Sequence, residues 1–102
     1  MMTTRMIILN LAKEYLESEE YCESFIFQKW INRITEELKL KELDDLALAN
    51  MWDMVYLTLD HECSYYESNK DFKNCNKYRD VGSAFTEVVN AEARRRKQRR
   101  EV

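Results

Sequence analysis

The residue types best suited to chemistry crowd into one stretch: Asp60, His61, Glu62 and Cys63 are consecutive, and Cys75 follows twelve residues after Cys63. Thiolate, imidazole and carboxylate are all zinc donors. Structural zinc sites present paired ligands with short spacers, however, and residues two apart, such as His61 and Cys63, lie on different faces of a helix. The spacing therefore predicts no metal site. With one histidine, no G-x-S-x-G elbow and no glycine-rich phosphate loop, the chain assembles neither a nucleophile with its base nor a phosphate cradle. No catalytic residue and no cofactor is expected, and the chain reads as a non-enzyme. Cys22, Cys63 and Cys75 are an odd number in a chain apolar enough to fold without staples, so they are expected to be reduced thiols serving as small hydrophobes.

Binding chemistry is better represented. Residues 94–100, RRRKQRR, hold six of the sixteen basic residues, and residues 1–92 keep ten Lys and Arg against eighteen Asp and Glu. An acidic body and a cationic tail favour opposite partners. Guanidinium forks match phosphate oxygens and stay charged, which makes Arg94, Arg95, Arg96, Lys97, Arg99 and Arg100 the candidate contacts to nucleic acid. The competing reading is structural, since cations at a helix C-terminus complement its dipole and Glu92 can pair with Arg96. Carboxylates cluster at two junctions, with Glu19, Glu20 and Glu23 in the first and Glu36, Glu37, Asp44 and Asp45 in the second. Together with Tyr65 and Tyr66, whose side chains leave a helix about 100° apart so that one of them faces a partner, these are the candidate protein-binding residues.

The elements that must position these groups are helices. The chain of 102 residues is 45% hydrophobic and 34% charged, with no proline and a single glycine, Gly82, so sheet corners and tight turns lack their usual residues. Thr3 or Thr4 can cap a first helix at about 4–17, carrying Ile8, Leu11, Ala12 and Tyr15. A second, capped by Ser18, is expected to run to about Lys39 on the stripe Phe27, Ile31, Ile34, Leu38, and a third to run unbroken from Lys41 to Ser68. The turn at Glu67–Lys73 follows, with Asn69 in the left-handed conformation and Asp71 capping the fourth helix. Gly82 in mid-helix implies close approach of a neighbouring helix. The predicted fold is an all-α, compact four-helix domain over residues 1–93, with a central third helix antiparallel to the fourth. Residues 94–102 form a tail that continues or frays from helix four.

Three resemblances bear on function. RRRKQRR resembles the arginine-rich motifs of small viral RNA-binding proteins, which implies nucleic-acid contact through the tail. Residues 70–78, KDFKNCNKY, resemble the start of a tetratricopeptide second helix, but no neighbouring copy exists and the segment is taken as ordinary hairpin packing. In size and composition the chain looks like the accessory proteins of phages and mobile elements, anti-CRISPR inhibitors among them. That likeness implies stoichiometric binding to a host protein complex. The longest apolar run, Met6–Leu9, is too short to span a membrane, so a cytoplasmic location without membrane contact is expected. Five Met and twelve aromatic residues suggest a homodimer.

Overall fold

The computed structural model describes residues 2–23 and 25–101, Glu101 through its backbone alone. Val102, the last residue of the expected tail, lies outside the described residues. Four helices, α1 (Thr4–Glu17), α2 (Gln28–Glu37), α3 (Asp45–Ser68) and α4 (Phe72–Glu101), and a 3₁₀ turn at Leu40–Glu42 make up the fold, with no strand among the described residues. None of these helices is long and apolar enough to cross a membrane.

Helix α1 forms where its apolar spacing predicts. Thr3 Oγ1 accepts from the Met6 amide at 3.2 Å, and Ile8, Leu11, Ala12 and Tyr15 are all buried. Ser18 closes this helix instead of opening the next: its amide and its hydroxyl both donate to the Tyr15 carbonyl, at 3.2 and 2.7 Å. The second helix thus starts nine residues later than expected, with Phe27 at its N-cap. Between them the chain is held by tertiary bonds, Tyr21 Oη to Asp80 at 3.1 Å and Tyr15 Oη to the Phe25 carbonyl at 3.3 Å. Tyr21, Cys22, Phe25 and Ile26 keep helical spacing, so these long-range contacts override a local helical pattern. The third helix also starts late. Leu40 is completely buried, Lys39 takes a left-handed φ of 54° to bring it there, and Asp44 begins α3 by accepting from the Ala47 amide at 2.8 Å.

At the α3–α4 turn the left-handed residue is Lys70, with φ 59°, and not Asn69. Asn69 stays near helical geometry because its side-chain amide donates back to the Tyr65 carbonyl at 2.8 Å, which pushes the reversal one residue on. Asp71 caps α4 as its position predicts, accepting from the Asn74 amide at 3.2 Å.

So short a turn makes α3 and α4 antiparallel, and their interface is the most extensive in the molecule. Leu48, Val55, Leu59 and Cys63 of α3, with Cys75, Tyr78, Val81, Phe85, Val88 and Val89 of α4, belong to one buried cluster. Helix α1 packs on both and α2 on α4. Tyr15 sits among rings at the centre, edge-on to Tyr21 and Trp30 and tilted against Phe85. Gly82 faces Leu59, as its mid-helix position implied. A Cβ there would lie 3.6 Å from Leu59 Cβ, an ordinary contact, so the approach leaves room for alanine. The thirty residues of α4 span about 45 Å, close to the 49 Å long dimension of the molecule.

Candidate functional site

Along one side of the α3–α4 pair, two cavities of about 490 and 380 Å³ adjoin at Trp52. Their α3 wall is Ala49, Trp52, Asp53, Tyr56 and Asp60. Their α4 wall is mostly small: Gly82, Ser83, Thr86, Asn90 and Ala93, recurring at intervals of three or four. The opening has a helical origin, because large residues at i and i+4 on α3 oppose a row of short side chains on α4. Trp52 and Tyr56 stack with centroids 5.4 Å apart and planes within 10°, forming a flat aromatic shelf. Trp52 is half-buried and Tyr56 is 46% exposed, so the shelf has one face against the protein and one toward solvent. Asp53 and Asp60 are exposed beside it and have no ion-pair partner among the described residues. The site is an apolar trough with two unpaired carboxylates on its lip and Arg79 and Arg100 toward its ends.

Different groups stand at the two ends of the trough. At one end Arg96, its side chain only 15% exposed, donates to Glu92, to Asp45 and, at 2.8 Å, to the Leu40 carbonyl, while Arg100 reaches Asp45 at 3.2 Å. Burial would raise the Glu92 carboxyl, but hydrogen bonds from Arg95 and Arg96 overcome it and hold the group below the usual carboxylate range. At the other end Tyr66 stacks on Tyr78, centroids 5.5 Å apart, and burial pushes the Tyr78 phenol up to about 12. Arg79 and Cys63 complete that end.

The residues singled out from the sequence are dispersed. Of the tail cations, Arg94 pairs with Glu87, Arg95 and Arg96 with Glu92, and Arg100 with Asp45. Among the described residues Lys97 and Arg99 have no such partner, and both are exposed. The tail is helical as far as Glu101. In the first acidic cluster Glu20 pairs with Lys29, while Glu19 and Glu23 are exposed; in the second, Glu36 is exposed and Asp44 is a helix cap. Arg33 bridges Glu37 of the second cluster to Glu14 on α1 and lies 5.1 Å over the Trp30 ring, so that cation neutralises part of the second cluster. No described cavity is lined by both clusters. Tyr65 is exposed and Tyr66 half-buried, the split that their 100° separation implies.

Trp52, Tyr56 and Asp53 are not among the residues singled out from the sequence, and Asp60 was weighed there only as a metal donor. The available signal was a Trp and a Tyr four apart, Asp53 next to the Trp and Asp60 one helical turn beyond the Tyr, opposite a helix whose small residues repeat at helical spacing. No family model matches this chain, and neither a curated protein nor a solved structure matches it.

Proposed function

We propose that this protein acts by stoichiometric binding, receiving a basic amphipathic helix of a protein partner in the α3–α4 trough. The observation that carries this reading is the pairing of the Trp52–Tyr56 shelf with the unpaired carboxylates Asp53 and Asp60 along one groove. A helix laid in a hydrophobic groove is anchored by apolar residues at i, i+3, i+4 and i+7, and lysines or arginines flanking that stripe would meet the acidic lip. Aromatic side chains offer large contact area at small entropic cost, which suits them as the anchoring surface. The shape and charge of the trough thus favour a cationic partner, in keeping with the negative body. Occupying a helix that the partner needs elsewhere would make the protein an inhibitor of a host complex, as the likeness to phage and mobile-element accessory proteins implies.

Nucleic-acid binding through the tail has less support, since four of its six cations already face carboxylates of their own chain. The two readings separate in one experiment. Ser83 is exposed and lines the trough, so Ser83→Trp fills it without entering the core. Wild type and the Ser83→Trp variant serve as baits in a bacterial lysate, with and without nuclease. A protein retained one-to-one by wild type, lost by the variant and unaffected by nuclease supports the reading. Equal retention by both baits, or recovery of nucleic acid alone, overturns it.

A further inference from the structure

Two of the three thiols meet across the helix pair. Cys63 of α3 and Cys75 of α4 stand on either side of the turn at 69–71, with sulfur atoms 2.9 Å apart and side chains almost fully buried. No side chain separates them, and the packed interface of the two longest helices holds them there. We propose that Cys63 and Cys75 form a redox-active dithiol, which a small-molecule disulfide such as oxidised glutathione converts into an intrachain disulfide stapling α3 to α4.

The reaction is two successive exchanges. One of the two thiolates attacks one sulfur of oxidised glutathione, giving a mixed disulfide and releasing one glutathione thiolate. The other thiolate then attacks the protein sulfur of that mixed disulfide and expels the second. The two thiol protons pass to the released glutathione, the two cysteines are oxidised by two electrons, and one oxidised glutathione becomes two reduced. The Arg79 guanidinium lies 3.7 Å from the Cys75 sulfur and the Glu67 carboxylate 3.9 Å from it. Burial and the neighbouring thiol push the Cys63 thiol up to about 11. Cys63 and Arg79 line the trough, so the pair is approached from the groove on its Cys63 side.

A metal ion is the rival occupant, since the Glu67 carboxylate joins both sulfurs within 4.8 Å. Zinc–sulfur arms of about 2.3 Å at tetrahedral angles would hold the sulfurs about 3.8 Å apart, wider than they stand, and Glu67 is exposed and faces Arg79. The observed spacing favours joining over chelation.

The test equilibrates the full chain in a series of reduced and oxidised glutathione, quenches with acid, alkylates, and maps peptides without reduction. The expected result is an intact mass lower by about 2 Da before alkylation, and after it one linked pair of peptides joining Cys63 to Cys75, with Cys22 outside the link. The unfolding midpoint of the oxidised protein should rise by at least about 5 °C, and neither change should appear in Cys63→Ser or Cys75→Ser. The wild-type peptide map decides even where a variant fails to fold. Three alkylatable thiols in the most oxidising buffer, glutathione adducts without the internal link, or protection of both thiols by one equivalent of zinc chloride would each overturn the proposal.

Discussion

The two ends of the α3–α4 seam are closed by different chemistry. At the tail end Glu92, Arg96, Asp45, Arg100 and the Leu40 carbonyl form a charged clasp between α4, the start of α3 and the 3₁₀ turn. At the turn end the closure is a pair of thiols beside stacked tyrosines. The clasp draws its residues from a run conspicuous enough to suggest an external ligand. The thiols come from positions twelve apart that show no pattern at all. Conspicuous charge therefore does not identify the outward-facing groups: a cation that reaches a buried carboxylate is spent on the fold, whereas Asp53 and Asp60, which belong to neither acidic cluster, are the ones left for a partner.

The largest expected effect breaks the clasp. Glu92 is nearly inaccessible, and Glu92→Gln leaves Arg96 short of its nearest charge in a site with little water, a loss of roughly 3 kcal/mol. Chemical denaturation of the two proteins measures it. The same group sets an acid dependence. Its carboxyl is held below its ordinary value of 4.5, so its stabilising contribution is complete above that pH and disappears as pH falls through the lower folded value. The denaturation midpoint of wild type should decline below about pH 4.5, and that of Glu92→Gln should decline less. Between the two ends, Gly82→Ala is expected to stabilise by up to about 1 kcal/mol, since the new methyl finds ordinary contact with Leu59 and the helix loses its most flexible residue. A marked loss of stability would show that the helices approach more closely at Gly82 than this contact indicates. The smallest effect belongs to the outward cations. Lys97→Gln with Arg99→Gln should change stability by less than about 0.5 kcal/mol, because both are exposed and neither has an ionic partner among the described residues.

Much of the fold was legible because its helices obey one rule, apolar residues at helical spacing with a polar cap. Thr3, the stripe from Ile8 to Tyr15, the turn near Asn69 and the Asp71 cap all follow it. The errors share a cause. Ser18 and Asp44 are both good caps, but a serine can close a helix by donating to its last carbonyls as readily as it opens one by accepting from amides, and the choice depended on Tyr21 reaching Asp80, fifty-nine residues away. The late start of α3 likewise depended on burying Leu40. Long-range contacts of this kind leave no local trace. The trough was invisible for a related reason: Trp52 belongs to the core by periodicity, and only the small residues of the opposite helix leave its outer face open.

Selection from a displayed library of 20-residue helical peptides, against the wild-type protein at physiological salt, tests the trough most directly. The account predicts enrichment of sequences with apolar residues at i, i+3, i+4 and i+7 flanked by lysine or arginine, binding one-to-one, weakened at least tenfold by Trp52→Ala, and unchanged by Lys97→Gln with Arg99→Gln. Enrichment of acidic or patternless peptides, or undiminished binding to Trp52→Ala and Ser83→Trp, would contradict it.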